Sequence, residues 1–168
     1  MVARPVTLKG AFLDTSVILP GLIDFGARSA SAQRLFEAIA SGRLGRPRTA
    51  WHCCLEFYSV ATRLPQEFRL KATDAIALLE AELLSRFDIE DLPPGQRRAF
   101  LTECGREGVQ GGRLYDAHIA AVARSSGARV VVTDNPRDFA GLERQGIRVL
   151  AAAAAIPLLV RGVRRRRG

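Results

Sequence analysis

Four carboxylates recur in this chain where one structural element gives way to another. Asp14 follows the apolar Phe12-Leu13, Glu56 lies in the helical stretch after Ala50, Asp116 opens the Arg113 helix, and Asp134 follows Val130–Thr133. Asp138 comes shortly after, with Asn135 between. Each has a local explanation: Asp14 or Thr15 caps a helix starting near Val17, Asp116 suits a helix N-terminus, Asp134 and Asp138 are turn and cap residues, and Glu56 is a surface acid. None of these explains why acids return to the same end of successive α/β units. Carboxylates gathered in one crevice raise one another's pKa values, and a divalent cation removes the conflict. Mg2+ needs only one or two carboxylates beside its waters and a substrate phosphate, and Mn2+ accepts similar ligands. Such a site activates water and steadies charge on a phosphoryl group.

The elements that must bring these acids together can be read from periodicity and punctuation. Ala11–Leu13 is a first, central strand, and Asp14 sits at its carboxyl end, where open parallel sheets bind ligands. Ser29 or Ser31 caps a helix to about Ala40, ended by Gly42. Arg46–Ala50 is a short extended stretch feeding a helix from His52 to about Leu64, stopped by Pro65; Leu55, Tyr58 or Ser59, and Thr62 share one face of it. Leu70–Leu84 is an amphipathic helix, and its apolar side packs inward or forms an interface. Phe87–Ile89 is a strand, Asp91–Gly95 a turn, and Gln96 to about Arg106 a helix. Gly108, Gly111 and Gly112 make a flexible joint before the helix Arg113–Arg124. Ala128–Thr133 is a β-branched run suited to burial on both faces. A turn and half-helix over Asn135–Leu142 leads to the last strand, Ile147–Leu150. Strands alternating with helices predict right-handed crossovers and a parallel sheet covered on both sides.

Bulk properties narrow the function classes. The 168 residues suffice for one domain with its own core. The apolar stretches Ala75–Leu84 and Val149–Val160 are far shorter than the ~20 residues of a membrane-spanning helix, and no export signal is read at the N-terminus, so a cytoplasmic protein is expected. The three cysteines, Cys53, Cys54 and Cys104, lack zinc or redox spacing and read as packing residues. Only two histidines, His52 and His118, are present, too few for a histidine-rich metal site. There is no G-x-S-x-G elbow and no glycine-rich phosphate loop. The net charge of +8 suits a polyanionic partner, although Arg161 and Arg164–Arg167 supply five of these charges and removing them leaves +3. Residues 1–160 are expected to form the domain and 161–168 a basic, disordered tail. A basic protein with an acidic site is the arrangement expected for cutting nucleic acid.

The stretches Phe12-Leu13-Asp14-Thr15-Ser16, Leu55-Glu56-Phe57-Tyr58-Ser59-Val60, Leu114–Ala123 and Val131–Phe139, followed by Gly146–Leu150, resemble the successive motifs of PIN-domain ribonucleases, most closely the VapC-like toxins of bacterial toxin–antitoxin systems. The resemblance spans Ala11 to Leu150. It implies a three-layer α/β/α sandwich around a central parallel sheet and Mg2+- or Mn2+-dependent endonuclease activity on RNA. By position, Asp14 and Asp116 are the principal metal ligands it implies. Glu56 completes the metal environment or orients a bound water, and Thr15 or Ser16 holds the Asp14 carboxylate or a ligand water. The fourth position is occupied less regularly: many relatives carry an acid where this chain has Asn135. Asp134 is the residue favoured there, with Asn135 as helper and Thr133 and Asp138 in support. The resemblance also implies a small antitoxin protein as partner and homodimerisation through helices, with no membrane role.

Two other readings compete. A haloacid-dehalogenase-type phosphatase also begins with a strand ending on Asp, but it places a second Asp where this chain has Ser16, and Lys71 is the only lysine beyond Lys9. A catalytically silent PIN-like module binding RNA or protein is the stronger rival, since folds outlast their chemistry. Trp51, Tyr58 and Tyr115 are isolated along the chain, so no aromatic stacking series for RNA bases is expected. Deleting the chain from Arg161 onward is expected to flatten the salt dependence of RNA binding by about 0.7 slope units per lost phosphate contact. An unchanged slope would make the arginines bystanders.

Overall fold

The computed structural model describes Thr7–Val163. Five short strands form one parallel sheet: β1 (Phe12–Leu13), β2 (Arg48–Ala50), β3 (Asp88–Glu90), β4 (Val130–Val132) and β5 (Arg148–Leu150), in the order β3-β2-β1-β4-β5. Register is pinned at the centre by Phe12 opposite both Arg48 and Val131, and by Leu13 opposite Val132. The ladder continues one step past β1, where the Asp14 N–H donates to the Val132 carbonyl at 3.0 Å.

Eight α-helices connect and flank the strands: α1 (Thr15–Leu22), α2 (Ala30–Ala40), α3 (Trp51–Ala61), α4 (Ala72–Leu78), α5 (Pro94–Arg106), α6 (Arg113–Ser125), α7 (Pro136–Glu143) and α8 (Ala152–Val163). From β1 the chain first builds outward to β2 and β3, then crosses to β4 and β5 on the other side. Right-handed crossovers in opposite directions place their helices on opposite faces. Thus α1–α4 lie on one face, joined by α8 packed on α2, and α5–α7 cover the other. The result is the three-layer α/β/α sandwich. Phe12, Leu13 and Val131 are fully covered between the layers, with Ile18, Leu35, Phe57, Ile119 and Phe139 from the helices. Among the described residues, no helix is long and apolar enough to cross a membrane.

Several elements depart from the sequence expectation for identifiable reasons. Ser29 stands at the N-cap position of α2, but its side chain makes no capping bond; it is fully buried, donates to the Ile23 carbonyl (3.1 Å) and accepts from the Phe25 N–H (2.8 Å), stitching the loop after α1. Arg48–Ala50 is a full sheet member, tied in by the buried Thr49 hydroxyl donating to the Leu13 carbonyl (2.8 Å). Arg46 anchors its entrance by forking onto Asp88 and onto the carbonyls of Ser85 and Phe87. The helix expected over Leu70–Leu84 is interrupted: α4, whose Ile76 is exposed, gives way to a π-helical segment, Leu79–Leu84, in which Leu83 is buried in the core and Leu84 is exposed. On α3, Leu55 is exposed and the buried stripe is Cys53, Cys54, Phe57 and Ala61. The helix α8, absent from the sequence reading, takes in residues 161–163, whereas Arg164–Gly168 of the basic tail lie outside the described residues.

The approach of α1 to α2 depends on Gly21, where a Cβ would lie 2.3 Å from Cδ2 of the largely buried Phe36. Gly21→Ala therefore forces the Phe36 ring to move and is expected to cost about 1–3 kcal/mol, as overpacked cores do. An undiminished thermal midpoint would show that the two helices do not meet there.

Candidate active site

β1 is the switch point of the sheet, because its two neighbours, β2 and β4, are reached by connections running in opposite directions. Asp14 follows it directly and is the N-cap of α1, with extended backbone (φ −85°, ψ 159°) that turns its side chain over the carboxyl edge. The carboxylate is only 5% exposed. Its Oδ2 accepts from the Ser16 hydroxyl (2.7 Å), the Thr133 hydroxyl (2.9 Å) and the Ser16 N–H (3.4 Å). Both hydroxyl protons are thereby committed to Asp14, so the 3.2 Å contact between Ser16 Oγ and Thr133 Oγ1 is close packing of two oriented donors.

What orients these donors is the backbone after β4. The Asp134 N–H donates to Ser16 Oγ (2.9 Å) and the Asn135 N–H to Thr133 Oγ1 (3.0 Å). Amide, hydroxyl and carboxylate thus form a relay from the β4 loop to Asp14. The network converges on Oδ2, leaving Oδ1 outside it. The Thr15 hydroxyl is buried without a hydrogen-bond partner.

Glu56 and Asp116 reach the same region from two helices. On α3 the core stripe fixes the roll, so His52 and Glu56, one turn apart, lie together at its half-buried margin. Helix α6 feeds β4 and runs antiparallel to it, so its N-terminus lies at the carboxyl edge of the sheet; Asp116 occupies that first turn. The electrostatics report the assembly. Burial raises the Asp14 pKa above the ordinary carboxylate value, opposed by the Ser16 and Thr133 hydrogen bonds and reinforced by Glu56. Asp116 is also raised, first by burial, then by the charges of Asp138, Asp14 and Glu56, with His52 opposing. Beneath them, burial and the Asp14 charge push the Cys53 thiol up to about 12, so it is an inert packing group. No ion pair among the described residues involves Asp14, Glu56 or Asp116.

The residues after β4 separate into different environments. Asp134 is exposed, and its Oδ1 accepts from the Ala152 N–H (3.0 Å), capping α8. Asn135 enters the network through its backbone amide. Asp138, in the first turn of α7, is the acid of this group that acts on Asp116. It lines a hollow of about 130 Å3 with Arg113, Asp116 and Arg137. A larger cavity of about 630 Å3 opens between α5, α6 and α7 and holds Asp138 but neither Asp14 nor Asp116, so volume alone does not locate the acid cluster.

Sequence reasoning missed an aromatic cluster. Tyr115, isolated along the chain, stacks on His52 (ring centroids 5.1 Å apart, 11° between planes); His52 meets the edge of His118 (5.9 Å), and His118 that of Phe100 (5.6 Å). The i, i+3 spacing of Tyr115 and His118 was the only local signal, and their partners come from α3 and α5.

Burial holds the native Asp14 pKa above its unfolded value, so the folded chain binds the extra proton and stability falls as pH rises. The loss begins near the ordinary aspartate value of about 3.9 and continues upward from there. In chelator, Asp14→Asn is expected to raise the thermal midpoint at neutral pH and to flatten its decline with pH. A midpoint that falls with pH as steeply as in the parent would show that this carboxylate is not the desolvated group.

The PIN domain family model matches residues 11–144. Ribonuclease VapC27 of Mycobacterium tuberculosis is 31% identical over 146 residues, covering 84% of this chain and 96% of the relative. Among solved structures, Mycobacterium tuberculosis VapC20, described as a sarcin–ricin loop cleaving toxin, superposes with TM-score 0.60 at 20% identity, covering 78% of this chain and 94% of that one. VapBC2 of Rickettsia felis, solved with a DNA fragment from its promoter, gives TM-score 0.56 at 17% identity, with 84% and 97% coverage. VapBC-1 of nontypeable Haemophilus influenzae gives 0.56 at 17%, with 85% and 98% coverage. The match over most of the chain, the extended identity to a VapC ribonuclease and the shared fold show that this chain belongs to the PIN-domain family, as a VapC-like member.

Proposed function

We propose that the chain is an endoribonuclease that cleaves RNA phosphodiester bonds with a divalent cation, Mg2+ or Mn2+, held by Asp14, Asp116 and Glu56. The observation that carries this reading is a buried carboxylate at the switch point, oriented by two hydroxyls, facing two further acids and, among the described residues, held in no ion pair. The donor set fits a hard cation: all three groups offer carboxylate oxygen, and Asp14 keeps Oδ1 outside its hydrogen-bond network. Among the described residues, no three acidic, histidine or cysteine side chains approach closely enough to enclose an ion by themselves. Mg2+ needs few direct protein ligands, because it keeps much of its water shell. When bound, such an ion supplies an activated water and offsets charge at the scissile phosphate.

The chain's own residues do the remaining work. Ser16 and Thr133 fix the direction of Asp14, so that its free oxygen is presented without a search through rotamers. The α6 N-terminus favours the charged form of Asp116 against its burial and its acidic neighbours. Arg113 and Arg137, exposed beside Asp116 and in no ion pair among the described residues, are placed to receive backbone phosphates. Asp134 supports the site through its amide and the α8 cap, and Asp138 is the acid after β4 that shares the Asp116 environment. Kinship to VapC proteins supports a role as the toxin of a toxin–antitoxin pair, acting in the cytoplasm as a homodimer with a small antitoxin partner.

With the purified chain and RNA in Mg2+, Asp14→Asn and Asp116→Ala are each expected to abolish cleavage while folding persists. Asp116→Ala should match or exceed the parent midpoint in chelator, because it relieves repulsion. Retained cleavage would remove that residue from the site; RNA binding without cleavage in parent and variants alike would establish the silent module.

A further inference from the structure

The aromatic cluster is unexplained by the acid chemistry. Tyr115 sits in the first turn of α6, immediately before Asp116, and keeps 57% of its surface exposed. One face of its ring is covered by the nearly parallel His52 ring, itself edged by His118, which is edged by Phe100. Rings from α3, α5 and α6 therefore set the plane of an exposed phenol beside the acids. Two guanidinium groups, Arg113 and Arg137, border the hollow on the Asp116 side. A flat, braced aromatic face on the residue preceding Asp116, and a small recess where two arginines stand with Asp116 and Asp138, are a pair of surfaces matched to one nucleotide unit, base and phosphodiester.

We infer that Tyr115 is a base-stacking subsite for single-stranded RNA, taking the base of a nucleotide whose phosphate lies toward Arg113, Arg137 and Asp116. The inference deepens the nuclease reading and rests on it for the identity of the polymer. Every base has a π-face, so this subsite holds a strand without selecting its sequence. It also requires an unpaired base, which directs cleavage to loops and single-stranded segments. His52 is the positioning residue that supports the ring, and Tyr115 is the group that touches substrate.

The test measures binding of a short fluorescent oligoadenylate to the full chain in chelator, where no cleavage occurs. Tyr115→Ala is expected to weaken binding roughly fivefold to a hundredfold, the range for loss of one stacked base. Tyr115→Phe should stay close to the parent, and Tyr115→Leu should behave like the alanine variant. Replacing adenines with abasic sites one at a time should reveal a position where the loss in the parent vanishes in Tyr115→Ala. The salt dependence of binding should not change in Tyr115→Ala, since no phosphate contact is removed, and should flatten in Arg137→Gln. Equal affinity of parent and Tyr115→Ala overturns the inference, as does no binding by the parent. A change of oligomeric state in Tyr115→Ala with RNA affinity intact also overturns it and makes the ring a protein contact. Tyr115-dependent binding by a chain that cleaves nothing in Mg2+ would end the nuclease reading and keep the subsite; cleavage with Tyr115-independent binding would do the reverse.

Discussion

A carboxylate buried at the end of the central strand is the constraint around which this molecule is organised. Asp14 is set there by strand register: Leu13 pairs with Val132, the next amide closes onto the Val132 carbonyl, and the following turn begins α1. Removing a charge from water is costly unless hydrogen bonds and counter-charge replace its hydration. Here the hydrogen bonds come from Ser16 and Thr133, while no ion pair among the described residues supplies the counter-charge. The β4 loop must adopt the one path that directs two amides onto those two hydroxyls. A shift of β4 against β1 by a single residue would turn Thr133 to the opposite face and leave Asp14 unheld. Fold and site are therefore specified by the same pairing.

The rest of the acid cluster adds cost. Glu56 and Asp116 raise the charge density at the mouth of the sheet, and Asp138 adds to it from α7. Arginine is abundant in this chain, yet among the described residues its ion pairs are made elsewhere, as by Arg46 with Asp88 and Arg97 with Asp91. Proteins generally violate their own rules of satisfaction where function requires it. An acid cluster that forms no ion pair among the described residues of a strongly basic chain is such a violation, and its relief by a hard cation is the simplest way to reconcile the two.

The core strands and the identity of the acids were legible because they depend on local pattern. Val130–Val132 can only be a strand buried on both faces, and an apolar pair ending on Asp14 marks a carboxyl edge. What escaped depends on three-dimensional neighbours. Ser29 has the sequence of a cap, but its hydroxyl finds the Ile23 carbonyl six residues back. The π-helical segment after α4, in which Leu83 is buried, breaks the α-helical period that pattern counting assumes. Between Thr15 and Ser16 the sequence offers no choice of Asp14 partner; the fold places Ser16 against Thr133, 117 residues away, and buries the Thr15 hydroxyl. Tyr115 was invisible as part of a stack because the other rings arrive from different helices.

The environment after β4 shows how spacing and role can separate. Asp134 directly follows Thr133, and proximity in sequence favours it as the fourth acid. Its backbone does serve the site, through the amide that orients Ser16, but its carboxylate turns away to the first amide of α8. The acid whose charge reaches Asp116 is Asp138, exposed in the first turn of α7. One residue thus supplies the backbone donor and another the negative potential. The division follows from geometry: an extended residue leaving a strand must direct its amide and its side chain to different neighbours, whereas a residue one helical turn later can direct its side chain back across the edge of the sheet. The same logic joins the two chemistries of the candidate site, since α3 carries both Glu56 and His52 and α6 both Asp116 and Tyr115. Packing these two helices against one core brings acids and rings to the same edge in a single step.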